Sequence, residues 1–199
     1  MAGNLKIGIL ALQGAVEPHQ KKIEKLGATA VEVRRAKDLW GLSGIILPGG
    51  ESTTMIHLLK LNEVWEPLVE FVSIKPAWGV CAGAILLSKE VTHPAQDSLG
   101  ALPVTVARNA FGRQAESFIT TLEPTDHWKE TEPVEGVFIR APRFLAFGAN
   151  VRPLLSHKDE PVMVEYKKIL ASSFHPELSE GDAVHKYFLE KCATAATNA

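Results

Sequence analysis

Between Leu5 and Lys89 the chain alternates short apolar runs with amphipathic segments, and few architectures accommodate that order. The stretch "LKIGILAL" is apolar at successive positions, as a strand covered on both faces needs to be. "AVEPHQKKIEKLG" follows with helical spacing and is expected to close at Gly27. "TAVEVRR" and "SGIILPGG" read as two more strands, the second ending in a glycine turn. "STTMIHLLKL" and "EVWEPLVEFV" read as helices, "PAWGV" as a short strand and "AGAILLSK" as the helix after it. Strands and helices alternating over short connections argue for an α/β fold, a parallel sheet with helices on both faces.

The second half changes character. "LPVTVAR", "ESFITTL", "EGVFIRA", "VRPLLS", "EPVMVEY" and "KKILASSF" are short β-like runs with little helix between them. They are expected as antiparallel additions, giving a mostly parallel mixed sheet. "DAVHKYFLEKCATAA" reads as a final amphipathic helix, with Cys192 a buried small hydrophobe near the end of its packed face. No repeat, low-complexity tract or linker interrupts the 199 residues, so one domain, 1–199, is expected. A formal net charge of −2 gives no reason to expect nucleic acid or an anionic membrane as partner. The apolar window from Phe71 to Ser88 is broken by Lys75 and Pro76, so no membrane span is expected. Two distant cysteines in unlike contexts suggest a reducing, cytoplasmic setting.

One of those cysteines carries the chemistry. Cys81 lies in "WGVCAGAILL", between a short strand and a helix, with Gly79 and Gly83 on either side. This is the geometry of a nucleophile elbow, whose crowded turn admits only small flanking residues. The thiol would project at the carboxyl edge of the sheet, where sites gather, and the helix start behind it favours thiolate. A nucleophile needs a base held by a third group. Six of the seven histidines read as solvated or locally bonded: His19, His57 and His185 in helical patterns, His93, His127 and His157 in polar loops. His175 differs, because in "ASSFHPEL" it follows an apolar strand and precedes a proline. Pro176 holds His175 in extended geometry, which would put Glu177 on the same side, two residues on. Donors for an oxyanion would come from the Ala82 N–H and from the Gly-Gly turn of "LPGGES", at Gly50. The histidines and cysteines are not spaced as metal ligands, and no cofactor or metal is expected.

Cys81 in an elbow, PGG upstream and His-Pro-Glu downstream together resemble the class I (triad) glutamine amidotransferases. "LALQGAVEPH", "LPGGESTTM", "CAGAILLSKE", "RNAFGRQAESF", "GVFIRAP" and "SSFHPEL" narrow the resemblance, in order and spacing, to the glutaminase subunits of pyridoxal 5'-phosphate synthases. The resemblance implies a flavodoxin-like three-layer α/β/α sandwich. It implies hydrolysis of L-glutamine to glutamate and ammonia through a glutamyl-thioester. The ammonia would pass to a (β/α)₈-barrel synthase subunit that makes vitamin B6 cofactor. By position Cys81 would be the nucleophile, His175 the general acid/base and Glu177 its orienting partner. Glutamine contacts would fall on Gly50, Glu51, Ser52, Arg108, Ile139 and Arg140, and Gln13 would face the synthase. Val80, where the family usually has Thr, and "APRF", in place of a commoner "APH", depart from the pattern; the first is expected to matter little, and Arg143 to alter a loop or the partner surface.

Two competing readings remain at this point. One is a class I glutaminase serving another acceptor, against which "GGESTTM" and "RNAFGRQ" argue. The other is a non-catalytic domain whose elbow cysteine is oxidised rather than acylated.

Overall fold

The computed structural model describes residues 5–108 and 117–197. The "RNAFGRQ" motif beyond Arg108 lies outside them. Five strands run parallel: β1 (Lys6–Leu10), β2 (Thr29–Val33), β3 (Gly44–Leu47), β4 (Ala77–Val80) and β13 (Ile169–Ser172). Their order across the sheet is β2-β1-β3-β4-β13. That is the doubly wound order 2-1-3-4-5, whose direction of winding reverses between β1 and β3. Three antiparallel strands extend it beyond β13, namely β12 (Glu160–Tyr166), β11 (Arg152–His157) and the two-residue β8 (Glu123–Pro124).

Side chains alternate across this sheet with the period of two that a pleat imposes. Ile45, Leu47, Ala77 and Ala171 face α2 (Ser52–Leu61), α3 (Trp65–Ile74) and the six-residue α4 (Ala82–Leu87). Ile7, Ile46, Trp78, Val80 and Leu170 face α1 (Val16–Lys25) and α5 (Ala183–Thr197). Helix α1 carries Glu17 in its first turn and Lys22 and Lys25 in its last, the polarity a helix dipole favours. The result is the expected flavodoxin-like three-layer sandwich. Cys192 lies in the second core beside Phe188, with no exposure. Burial pushes its thiol up to about 12, which keeps it an inert apolar filler. No helix among the described residues is long and apolar enough to cross a membrane.

The second half departs from expectation in detail. "KKILASSF" supplies the fifth parallel strand, bonded in register to β4, with Ala171 opposite Gly79. "LPVTVAR" forms β6 (Leu102–Ala107) in a separate three-stranded sheet, between β5 (Ser88–Thr92) and β10 (Arg143–Phe147). "ESFITTL" and "EGVFIRA" pair with each other as β7 (Phe118–Thr121) and β9 (Glu135–Phe138). Helix α4 stops at Leu87, because Ser88 turns extended and spends its hydroxyl on the Ile85 carbonyl at 2.7 Å. The released chain then becomes β5 instead of a further helical turn.

Candidate active site

The carboxyl ends of β1, β3, β4 and β13 meet at one edge of the sheet. At the end of β4 the backbone reverses through Cys81, a non-glycine residue at φ +49°. That strained conformation persists only where the surroundings impose it, and the flanking glycines are how they do so. A Cβ on Gly83 would lie 1.9 Å from the Leu47 carbonyl oxygen, and one on Gly79 would lie 2.4 Å from the Gly83 carbonyl. The turn is pressed against β3 and against its own helix, as the sequence pattern requires. Cys81 is held further by its N–H, which donates to the Ser172 carbonyl at 2.8 Å. Ala82 opens α4, so its N–H is one of the first-turn donors without an intrahelical acceptor. Val80 is fully buried in the α1/α5 core.

His175 follows β13 at φ −108° and ψ 84°, short of the extended geometry expected before a proline, and its N–H is bonded to the Val137 carbonyl at 2.8 Å. Its ring reaches both neighbours. The imidazole lies beside Cys81 and interacts with its thiol, and Nδ1 lies 2.7 Å from Glu177 Oε1. The contact does not arise from an extended segment. Glu177 sits in a short 3₁₀ turn, Pro176–Leu178, with proline in its first position; the carboxylate folds back onto the ring. Burial opposes charge on His175. The hydrogen bonds and negative charge of Cys81 and Glu177 outweigh it and raise the group to about 10, an imidazolium at neutral pH. Burial likewise opposes charge on Glu177, yet its bond to His175 and nearby imidazoles hold it below the ordinary carboxylate range.

The turn after β3 closes the other side. A Cβ on Gly49 would strike the His175 ring at 2.4 Å, and one on Gly50 would meet Gln13 Oε1 at 2.5 Å. Gln13 Oε1 accepts from the Glu51 N–H at 2.9 Å, and the Gly49 carbonyl accepts from the Ala15 N–H at 3.4 Å. Gln13 therefore braces the glycine turn from the loop after β1, a contact within the chain that its expected partner-facing role did not include. Glu51 caps α2, accepting from the Thr53 hydroxyl and N–H. Those two bonds, with Arg108 and Arg140 nearby, keep its carboxyl ionised below its ordinary range. Arg108 Nη2 donates to Glu51 Oε1 at 3.1 Å. The Ser52 side chain is buried and donates to Gln96 Oε1 at 2.9 Å, so its hydroxyl is committed within the chain. Ile139 and Arg140 follow β9, which lies against the His175 loop; Ile139 is half-buried and Arg140 exposed at φ +45°. Arg143 pairs with Glu160, away from the triad.

Two histidines differ from the solvated or locally bonded state expected of them. His19 and His185 are fully buried, and their Nδ1 and Nε2 atoms lie 2.9 Å apart. His19 Nε2 is 3.7 Å from Glu177 Oε2. The signal was present in the helical period. His19 shares a stripe with Ile23, and His185 shares one with Phe188, Leu189 and Cys192, all buried. Burial drives both imidazoles down to about 3. The unfolded chain, with imidazoles near 6.5, binds those two protons first. Stability should therefore fall as pH drops from about 6.5 toward 3, by on the order of 2 kcal/mol per histidine between pH 7 and 5. His175 acts in another window, its contribution intact below about 6.5 and lost as pH rises through about 10. Urea midpoints at pH 7 and pH 5 measure the first effect, and an unchanged midpoint would contradict it.

Among the described residues no three His, Cys, Asp or Glu side chains gather as a metal would need. A large groove of about 1120 Å³, lined by Trp40, Ile74, Lys75 and Lys168, lies at the amino edge of the parallel strands. Its lining includes none of Cys81, His175 and Glu177, which gather at the opposite edge.

The protein named pyridoxal 5'-phosphate synthase subunit PdxT from Deinococcus radiodurans is 47% identical over 191 residues, covering 93% of this chain and 96% of its own. The protein of the same name from Solibacter usitatus is 44% identical over 189 residues, covering 94% and 98%. A crystal structure described as a glutamine amidotransferase superposes with a TM-score of 0.86 at 44% identity, covering 94% of this chain and 98% of that one. The structure of PurLQS from Thermotoga maritima, at 13% identity and a TM-score of 0.65, shares the fold alone. The family model described as SNO glutamine amidotransferase matches residues 9–194, and the chain belongs to that family.

Proposed function

We propose that this enzyme hydrolyses L-glutamine to L-glutamate and ammonia at Cys81, His175 and Glu177, and that the ammonia serves a separate synthase subunit in pyridoxal 5'-phosphate formation. The observation that carries the reading is the elbow cysteine at φ +49°, beside an imidazole that is itself held by a buried carboxylate. The names of the relatives supply the acceptor pathway.

The reaction follows from the arrangement. The Cys81 thiolate attacks the glutamine side-chain carbonyl, and the new C–S bond pushes the carbonyl electrons onto oxygen. The Ala82 N–H and the Gly50 N–H stabilise that oxyanion. His175, already protonated, gives its proton to the leaving nitrogen as the C–N bond breaks, releasing ammonia and leaving a glutamyl-thioester. The neutral imidazole then takes a proton from water, whose oxygen attacks the thioester; glutamate leaves and the thiolate–imidazolium pair returns. Glu177 keeps the ring oriented and its positive charge balanced through both proton transfers.

Opposite charges at the turn after β3 suit a zwitterionic amino acid. Arg108 matches the substrate α-carboxylate, and Glu51 its α-ammonium. Arg108→Met should raise KM by roughly 10–100-fold, the worth of a charge-assisted hydrogen bond, with little change in kcat. Steady-state kinetics check this, and a kcat defect at unchanged KM would contradict it.

The glycine turn offers a means of control. With the Gly49 carbonyl held by the Ala15 N–H, the Gly50 N–H on the same trans peptide points the opposite way. A partner docking on the Gln13 loop would bias that peptide between orientations. Glutamate release measured with and without the barrel synthase tests the whole proposal. Turnover with the partner, falling by about 10²–10³ in its absence, is expected. No turnover in the complex would overturn the glutaminase reading; equal turnover in both states would overturn the gating alone.

A further inference from the structure

Behind Glu177 lies a pair of imidazoles for which a three-residue relay has no use. Glu177 Oε1 is spent on His175, while Oε2 is buried without a hydrogen-bond partner. Facing it at 3.7 Å is His19 Nε2, equally buried and equally without a partner. On its far side His19 Nδ1 lies 2.9 Å from His185 Nε2. The two rings come from α1 and α5, on one face of the sheet, and both stand edge-on to Trp78 of β4, at 5.5 and 4.9 Å. Trp78 is pinned in turn by its Nε1–H, which donates to Ser172 Oγ at 3.2 Å. Trp78 and Ser172 flank the triad in sequence, three residues from Cys81 and from His175.

We propose that His19, oriented by His185, is a positioning residue that holds the Glu177 carboxylate, extending the relay to His185–His19–Glu177–His175–Cys81. This rests on the triad reading given above. The direction of the chain follows from what each atom can do. A carboxylate only accepts, and a neutral imidazole carries one donor and one acceptor. If His19 bore its proton on Nδ1, its Nε2 lone pair would face the Glu177 oxygen, two buried acceptors opposed. With the proton on Nε2, His19 donates to Glu177 and its Nδ1 accepts from His185 Nε2–H, so both His19 nitrogens are matched and only the His185 Nδ1 lone pair stays buried without a partner. The 3.7 Å separation is longer than a formed hydrogen bond. It closes with a sub-ångström shift of either side chain, as contacts of this kind do when substrate occupies a site.

Neutrality is what suits histidine to this position. A Lys or Arg against Oε2 would neutralise the carboxylate and weaken its hold on the His175 imidazolium. An uncharged donor fixes the carboxylate and leaves its charge to His175. The groups facing His19 are Glu177 and, beyond it, His175 from the loop after β13, His185 from α5, Lys22 from its own helix and the Trp78 ring from β4. Of these only Glu177 favours an imidazolium, and burial outweighs it. His185 faces His19, Trp78 and Lys22, and the Lys22 ammonium is bound to the Gly181 carbonyl at 2.8 Å and Asp182 at 3.1 Å.

The test has two arms. Nitrogen-15 NMR of the histidine-labelled wild-type chain should find His19 and His185 neutral at pH 7, both with the proton on Nε2; an Nδ1–H tautomer or an imidazolium at His19 would overturn the proposal. Glutaminase kinetics in the complex with the synthase subunit form the second arm. His19→Phe, which keeps ring volume but not the donor, should lower kcat by about 10–100-fold, the loss typical of a supporting partner, with KM within about twofold. Removing a donor from the ionised carboxyl raises its proton affinity, so the acid limb of the kcat profile should move up by about one pH unit. His19→Gln, whose amide reaches the same oxygen, should recover most of both. Wild-type kcat in His19→Phe, or equal losses in the two variants with an unmoved acid limb, would overturn the positioning role. If His19→Phe does not fold, the NMR arm decides. Turnover surviving in Cys81→Ala would instead sink the triad reading and leave the tautomer result standing.

Discussion

Cys81→Ala is expected to lower glutamine turnover by about 10⁴-fold or more in a protein that folds as before. The substitution removes one sulfur from a side chain that is 7% exposed and puts a small residue where the turn accepts one. Nothing else at the site can replace it. The other free thiol, Cys192, is sealed in the α1/α5 core and held protonated at about 12. The remaining oxyanion donors and Arg108 would still bind substrate, so KM should change far less than kcat. Circular dichroism and thermal unfolding establish that the fold survives, and glutamate release measures the loss. Turnover near the wild-type rate in the folded variant would remove Cys81 from the mechanism.

The largest structural effect is expected from Gly83→Ala. A methyl at this position would sit 1.9 Å from the Leu47 carbonyl oxygen and 2.8 Å from Leu47 Cβ. Backbone cannot step aside as a flexible side chain can, so α4 would have to lift from β3. All six residues of α4 are buried, and β3 is buried throughout. A cost of about 3 kcal/mol or more follows from overpacking at such a site. The elbow geometry that sets Cys81 would be lost with it. Denaturant unfolding checks the first effect and glutaminase activity the second. A variant as stable as wild type would mean that α4 and β3 separate more easily than their packing implies.

The two proposed catalytic residues, Cys81 and His175, were legible because each stands in a pattern that local backbone geometry explains. Glycines either side of Cys81 answer a steric demand, and Pro176 sets the geometry of His175. The parallel half of the fold was legible for a similar reason, since each strand is a run apolar on both faces. What escaped is what depends on distant parts of the chain meeting. His19 and His185 are 166 positions apart, and only the placing of α1 and α5 on one face of the sheet brings them together. Each had looked solvated because its polar neighbours in sequence, such as Gln20 and Lys186, point elsewhere. Strand β5 was hidden in "SKEVT", which has a charged pair where a buried strand would be apolar; Lys89 and Glu90 are exposed at the rim of the small sheet. The segment around Arg143 gave no hint of β10, whose Leu145 and Phe147 remain largely exposed.

The central claim, that Cys81 is the nucleophile within a glutamine pocket, is tested most directly by an electrophilic analogue of glutamine. The chain, in complex with the synthase subunit, is incubated with the analogue and the adduct is mapped by mass spectrometry. One equivalent on Cys81, blocked by excess glutamine and absent from Cys192, is the expected result. Labelling that ignores glutamine, or an unlabelled Cys81 in an enzyme that the analogue has inactivated, would contradict it.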